Sequence, residues 1–384
     1  MIQRQISRAC PVTRTARVMQ LEGMFDLPPA ARSERSWTVE LPLQARPWQI
    51  GLIVGPSGAG KSTVARELFG PAVVSGYDWP ARGAVIDGFP ADLGLKEITG
   101  YLSAVGFSSP PAWLRPFETL STGEQFRVIL ARALAERSPL IVVDEFTSVV
   151  DRTVARIGSS AVAKAIRSQP DRKLVAVSCH SDIIDWLQPD WIFLPAEERF
   201  QWRSLQRRPE VTVRIQRSAA AAWPLFRAHH YLAAELHRSA TCFVAQVEGQ
   251  PAAFCAVIHY PHPRRSFWKI HRSVVLPDYQ GIGLGNRLIE FIASLFVCTG
   301  KPVRDVTGHP ALIAHRLRHP ELWRCCRRGK LMRQRQSRST RTGQTLGRTT
   351  AVDRITWSFE YVGPGNPLQS ARLGVLKSPP TNDG

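Results

Sequence analysis

A chain of 384 residues with 44% hydrophobic and 21% charged side chains has the balance of a folded protein, and it is too long for one small module. Its 50 Lys and Arg against 31 Asp and Glu give +19, unevenly placed: residues 1–205 hold 23 basic and 21 acidic side chains (net +2), residues 206–384 hold 27 and 10 (net +17). No stretch approaches the roughly 20 consecutive apolar residues of a membrane helix, so membrane insertion is not expected.

Residues 1–35 are basic, lack the apolar core of a secretory signal and predict a flexible basic arm. Seven cysteines, at 10, 179, 242, 255, 298, 325 and 326, show no C-x-x-C spacing, which points to reduced thiols and a cytoplasmic setting. From Trp37, WTVELPL and WQIGLIV predict two strands, the second running into GPSGAGKST at 55–63. This satisfies G-x-x-x-x-G-K-[ST]. Gly55, Gly58 and Gly60, with Pro56, Ser57 and Ala59 between them, let backbone amides curl round a polyphosphate at the start of a helix. Lys61 then reaches the β/γ-phosphates, Ser62 offers its hydroxyl to Mg²⁺ and ends the pattern, and Thr63 directly after it is counted with the ATP-binding residues.

Between that loop and the next motif, Asp87 in VIDGFP is either a metal or water contact or a turn carboxylate. Trp37 is either an adenine-stacking ring or a core residue. LSTGEQFRVILARALAERSP at 120–139 reads as a turn followed by a helix. PLIVVDEFTSVVD at 139–151 is a buried strand that delivers Asp144 to the Mg²⁺ shell and Glu145 to an attacking water. LVAVSCHSD at 174–182 is a further strand, with His180 at its end.

In this order the motifs resemble the ABC-type ATPase superfamily, whose signature is LSGGQ. Thr122 stands for the first signature glycine and Glu124 occupies the glutamine position, with Gln125 next, while Ser121 and Gly123 remain. The resemblance implies an α/β P-loop NTPase fold over residues 36–205 and a head-to-tail homodimer. In it Ser121 and Gly123 of one chain cap the γ-phosphate held by the other, Lys61, Glu145 and His180 are catalytic, and Asp151 crosses the interface. Only about 57 residues separate Ser62 from LSTGEQ, fewer than the helical region with which transporter ATPases dock on membrane subunits.

From residue 206 the style changes. VTVRIQRS predicts a strand and AAAAWPLFRAHHYLAAELHR a helix; TCFVAQVEGQPAAFCAVIHYP is a hairpin turning at Glu248-Gly249-Gln250, and FWKIHRSVVLP is a fourth strand. DYQGIGLGNRLIEFIASLFV is a glycine loop opening a helix, and PVRDVTGHPALIAHRLRH a fifth strand and a further helix. A dinucleotide loop would need G-x-G-x-x-G, but Asn286 stands at the last position and Pro277 interrupts the approach.

Gln280, Gly281, Ile282, Gly283, Leu284 and Gly285 instead match Q/R-x-x-G-x-G/A, and this half resembles the GNAT acyltransferase superfamily. The resemblance implies an α+β acyltransferase domain over residues 206–365, acetyl-CoA on that loop, and fourth and fifth strands that splay to admit pantetheine. His271, Asp305 and His309 are the candidate bases. The resemblance also implies a tyrosine acid on the helix after the fifth strand; that helix has none, which leaves Tyr361 as a distant substitute.

Eleven Lys/Arg and one acidic residue lie between 313 and 350, and about 324–350 reads as a mobile basic insertion. With Arg207, Arg208, Arg264, Arg265, Lys269 and Arg272, and with Trp268 and Trp323 nearby, this points to a nucleic-acid partner. Residues 366–384 read as a flexible tail. Over 36–365 the chain resembles a family that fuses an ABC-type ATPase to a GNAT-like domain. The expected function is ATP hydrolysis coupled to CoA-dependent N-acyl transfer on nucleic acid or a nucleic-acid-bound substrate. One alternative is a DNA-maintenance ATPase with a non-catalytic nucleic-acid tether, and another a transporter ATPase subunit.

Overall fold

The computed structural model describes residues 1–29, 32–74, 76–230, 235–263, 265–332 and 354–376. Strand β1 (Ile2–Pro11) is followed by helix α1 (Ala16–Phe25) and by β2 (Arg32–Leu41), which pairs back antiparallel from Ile2 opposite Leu41 to Pro11 opposite Arg32. Within residues 1–35, expected as a flexible arm, Ile2–Pro11 and Arg32–Arg35 therefore belong to a paired ribbon and Ala16–Phe25 to a helix. The two-residue period of a strand turns Trp37, Val39 and Leu41 to one side, where all three are buried with Ile6.

The wholly buried β3 (Ile50–Val54) leads into α2 (Lys61–Phe69) and the short β4 (Val73–Val74). Three helices follow, α3 (Leu95–Ala104), α4 (Pro110–Trp113) and α5 (Thr122–Ala135). The chain then alternates: β5 (Leu140–Val143), α6 (Arg152–Arg167), β6 (Lys173–Ser178), α7 (Ile184–Leu187), β7 (Trp191–Leu194) and β8 (Arg199–Trp202). Their sheet has the order β4-β5-β6-β3-β7-β8, parallel except for β8. Gly51 lets β3 pass Trp191, since a Cβ there would lie 2.0 Å from the indole. Parallel order brings the C-terminal ends of β3, β5 and β6 to one edge, where ligands of such sheets bind.

The remaining elements are β9 (Val213–Ser218), α8 (Trp223–Arg227), β10 (Thr241–Val247), β11 (Gln250–Tyr260), β12 (Phe267–Val275), α9 (Leu284–Val297), β13 (Val303–Thr307), α10 (Pro310–Arg318), β14 (Trp323–Met332), β15 (Arg354–Tyr361) and α11 (Pro367–Arg372). They form a seven-stranded sheet, β14-β15-β13-β12-β11-β10-β9. The β10–β11 turn places Glu248 at φ 51° and Gly249 at φ 79°, the left-handed pair that a tight hairpin requires. β12 and β13 run parallel through three residue pairs, Trp268–Val303, Lys269–Arg304 and Ile270–Asp305, and then part.

Three expectations change. The helix predicted from the alanine run is one turn, α8, anchored by Trp223 and Phe226 against Phe254; residues 231–234 lie outside the described residues. The predicted mobile insertion begins as a strand, because β14 pairs with β15 and Arg324 meets Glu360 across the pair; residues 333–350 lie outside the described residues. The tail from 366 starts as α11, capped by the Asn366 side chain accepting from the Gln369 amide; residues 377–384 lie outside the described residues.

The chain divides into two compact units, residues 1–77 with 136–209, and residues 78–135 with 210–384. Helices α3 to α5, expected within an ATPase domain at 36–205, thus group with the second sheet. Buried hydrogen bonds from Arg127 of α5 to the carbonyls of Asp278 and Gln280 hold them there.

Candidate functional site

In the first unit the 55–63 loop is shaped by backbone. Gly58 (φ 78°) and Gly60 (φ 90°) are left-handed, and Gly60 starts α2 with no side-chain cap, leaving the first helical amides for an anion. Trp37 lies beneath the loop, 5% exposed, its Nε1 donating to the Ala59 carbonyl at 2.9 Å, and Arg35 donates to the Gly58 carbonyl. A Cβ on Gly60 would sit 2.2 Å from the Trp37 ring. Trp37 is therefore a floor for the loop, a core residue rather than an adenine platform. Lys61 Nζ donates to the Pro56 carbonyl at 2.9 Å, lying under the curl of the loop.

Ser62 Oγ donates to Asp144 Oδ1 at 2.9 Å, and the Arg66 guanidinium lies 3.4 Å from Asp144 Oδ2. Two hard oxygen ligands at this separation suit Mg²⁺, so the residues present fit the metal. Glu145 is exposed at φ 52°, its amide donating to Asp144 Oδ1 at 3.0 Å. His180 is half-buried just past the end of β6, its amide donating to Ser178 Oγ. Asp151 caps α6, its Oδ1 accepting from the Thr153 and Val154 amides at 2.8 and 3.0 Å; that oxygen already has a task within its own chain. Burial alone would raise the nearby Asp182 carboxyl, but the hydrogen-bonded Arg152, with Arg156 and His180, holds it below its usual value.

The signature segment lies in the second unit. Ser121 Oγ accepts from the Glu124 amide and Glu124 Oε2 accepts from the Ser121 amide, a reciprocal cap at the start of α5. Glu124 is the residue that stands at the signature's glutamine position. Its carboxylate takes up the Ser121 amide and so covers the start of α5. Asp87 is exposed in a 3-10 turn of this unit.

The 280–285 loop repeats the first loop's backbone. Gly281 (φ 96°) and Gly283 (φ 86°) are left-handed, and Gly283 opens α9 with no side-chain cap. Nothing lies within 4 Å of a Cβ at Gly283, while one at Gly285 would touch Val275 at 3.1 Å. An uncapped helix start with open space before it fits a pyrophosphate. Gln280 has a different task from the expected ligand contact. Its Oε1 accepts from the Ser108 amide at 2.6 Å and its Nε2 donates to the Val275 carbonyl at 2.8 Å.

Arg127 of α5, 1% exposed, donates to the carbonyls of Gln280 (3.0 Å), Asp278 (3.1 Å) and Gly106 (2.8 Å). Sequence reasoning missed Arg127. The available signal was its place with Glu124, Ala131 and Leu134 on the buried stripe of α5.

Where β12 and β13 part, a cleft is lined by His230, Lys269, His271, Arg272, Asp305 and Thr307 among others. Two of the three candidate bases face it. His271 Nε2 accepts from the His237 amide at 3.2 Å, and burial, aided by Arg272, Lys269, His237 and His230, lowers its pKa to about 4. Asp305 is ion-paired with Arg316, itself 1% exposed beneath the rings of Trp323 and Phe359; a carboxylate so held is no free base. His309 Nε2 donates to the Ser108 carbonyl at 3.1 Å, beside Trp113, so its role is in the packing of residues 106–113. Tyr361 is buried, donates to the Pro364 carbonyl and is raised above its usual pKa mainly by burial.

The aromatic part of the nucleic-acid expectation changes as well. Trp323 is 2% exposed and offers no stacking face, whereas Trp268 is half-buried, donates to Thr299 Oγ1 at 2.7 Å and packs edge-on against Phe296. Arg208 donates to the Trp186 carbonyl, and Arg264 lies outside the described residues. All seven cysteines are free, and among the described residues no helix is long and apolar enough to cross a membrane.

Residues 183–304 match the family model described as Acetyltransferase (GNAT) family. The methionine import ATP-binding protein MetN of Cutibacterium acnes is 30% identical, over 30% of this chain and 44% of its own length. The zinc import ATP-binding protein ZnuC of Yersinia enterocolitica is 35% identical, over 29% of this chain and 52% of its own. The chain thus combines a part similar to these import ATPases with a part that matches the GNAT family model. It spans about half the length of these curated relatives. A dimeric bacterial ABC transporter cassette, MJ0796, aligns with 44% of this chain at 16% identity and a TM-score of 0.36, too low to bear on its fold. The GNAT match begins within the first structural unit and ends inside β13, so β14, β15 and the arginine-rich run between them lie beyond it.

Proposed function

We propose that the fusion hydrolyses ATP at the 55–63 loop and uses an acyl-CoA, acetyl-CoA in the first instance, to acylate an amine on nucleic acid or on a nucleic-acid-bound substrate, working as a homodimer through its ATPase part. The observation that carries the reading is the presence in one chain of two uncapped, glycine-opened helix starts, one over a Ser62–Asp144 pair and one beside parting strands. ATP and Mg²⁺ go with the first: the loop amides and Lys61 hold the phosphates, Ser62 and Asp144 the metal, and Glu145 orients water. Acyl-CoA supplies a thioester carbonyl, which the acceptor amine attacks; a C–N bond forms, the C–S bond breaks, the thiolate leaves and the amine loses a proton. In the cleft His271 is the candidate to take that proton, once its Nε2 is released from the His237 amide.

The net +17 of residues 206–384 supports a polyanionic acceptor and, with Trp323 buried and Trp268 half-buried, contact chiefly through phosphates. DNA and RNA incubated with protein, ATP and acetyl-CoA are expected to yield acylated nucleosides by mass spectrometry, with binding that weakens steeply as salt rises. Unchanged nucleoside masses overturn the nucleic-acid acceptor. Glu145→Gln is expected to cut ATP turnover ~10²–10⁴-fold while ATP still binds, and an unchanged rate removes Glu145 from its role. The import proteins among the relatives do not favour a DNA-maintenance ATPase; they favour one second reading, an ATPase serving a separate membrane partner, which co-purification with such a partner would select.

A further inference from the structure

We propose that Arg127 is a positioning residue through which occupancy of the signature segment sets the shape of the acyl-CoA loop. The inference rests on the proposed ATP and acyl-CoA reading and goes beyond it by naming the physical link. Helix α5 begins at the signature residues and carries Arg127 four residues after Gly123, about 6 Å along the axis at 1.5 Å per residue. From there the guanidinium reaches the carbonyls of Asp278 and Gln280, the residues leading into Gly281 and the amides of the loop.

The joint is stiff for three reasons. Arg127 is 1% exposed, so its donors have no water to turn to if a carbonyl moves away. Gly106 is left-handed at φ 83°, and a Cβ there would lie 2.6 Å from the Gln280 carbonyl oxygen and 2.5 Å from the Arg127 guanidinium, so two backbones meet with the fork between them. The Ser108 amide holds the Gln280 side chain, and the Ser108 carbonyl accepts from His309 at the start of α10. A planar fork bridging three carbonyls transmits direction as well as distance, which a lysine cannot do.

At the other end of this arm the Ser121–Glu124 cap is the group a nucleotide phosphate would displace. Displacing it pulls on the first turn of α5, and the next turn carries Arg127. Movement of α5 therefore reorients the Asp278–Gln280 carbonyls and, with them, the loop amides that face the pyrophosphate.

The test measures acetyl-CoA affinity by calorimetry with and without a non-hydrolysable ATP analogue, on the full chain and on Arg127→Lys, which keeps the charge and loses the fork. The analogue is expected to shift the wild-type acetyl-CoA Kd at least ~5-fold, the lower end of ordinary coupling between sites. Arg127→Lys is expected to abolish that shift while still binding both ligands. Amide hydrogen exchange of residues 281–288 in the wild type, with analogue added and acetyl-CoA absent, is expected to change and needs no variant. An unaltered exchange pattern, or an Arg127→Lys protein with the full wild-type shift, overturns the link. Absence of acetyl-CoA binding by the wild type overturns the acyl-transfer reading and the link with it; binding of both ligands without mutual influence overturns the link alone.

Discussion

The two glycine loops are nearly the same piece of backbone in different company. Gly60 (φ 90°, ψ 12°) and Gly283 (φ 86°, ψ 6°) each open a helix in the left-handed region without a side-chain cap, so both loops turn unsatisfied amides towards an anion. Around the first, Trp37 fills the space below, Lys61 lies within the curl, and the Asp144 and Glu145 carboxylates stand where a metal and a water can reach them. Around the second, space is left at Gly283, Asp305 in the adjoining cleft is locked to Arg316, and the loop's entry is tied to a helix of the signature segment. On the proposed reading the shared backbone sets the class of ligand, phosphate, and the neighbours set its fate, metal-assisted hydrolysis in one case and the holding of a carrier in the other.

The largest expected effect tests whether Asp305 is held or active. Asp305→Asn leaves Arg316 buried without its counter-charge and is expected to cost ~3–5 kcal/mol of stability, seen as an early unfolding midpoint in urea. A stable variant that had lost only acyl transfer would restore Asp305 as a base and blur the contrast with Asp144.

A matched pair comes next. Gly60→Ala and Gly283→Ala both force a side chain into the left-handed region, at ~1–2 kcal/mol each. Only the Gly60 variant also drives a Cβ against Trp37. The Gly60 change is therefore expected to shift thermal unfolding further, and equal shifts would show that Trp37 yields and is no floor.

The smallest effect is a pH dependence. With its folded-state pKa lowered from 6.5 to about 4, chiefly by burial, His271 contributes stability that is full above about pH 6.5 and is lost as pH falls towards about 4. His271→Gln is expected to narrow the gap in urea stability between pH 7 and pH 5. His229 and His309, also lowered chiefly by burial, keep part of it. An unchanged gap would mean that the cleft leaves His271 as open to water as the first loop leaves Glu145.

What could be read along the chain was local. G-x-x-x-x-G-K-S, the strand that delivers Asp144, the hairpin at Glu248-Gly249 and the 280–285 loop are short motifs whose backbone conformation follows from their own residues, above all from glycines that accept a positive φ. The partners of charged and aromatic side chains were not local. Trp37 could stack on a base or fill a core until its indole was found beneath Ala59, and the three candidate bases looked alike until Arg316, Ser108 and His237 claimed them in different ways.

By itself the sequence determined two glycine loops that each open a helix, their chain order, and a charge excess concentrated in residues 206–384. Only the tertiary structure decided that α3 to α5 pack with the second sheet, that Glu124 closes the start of α5 and that Arg127 fastens this helix to the entry of the second loop. The physical reason is that turn conformation is fixed by neighbours in sequence. A buried charge is fixed by whichever carbonyl or counter-charge the fold brings to it, here from as far as 153 positions along the chain.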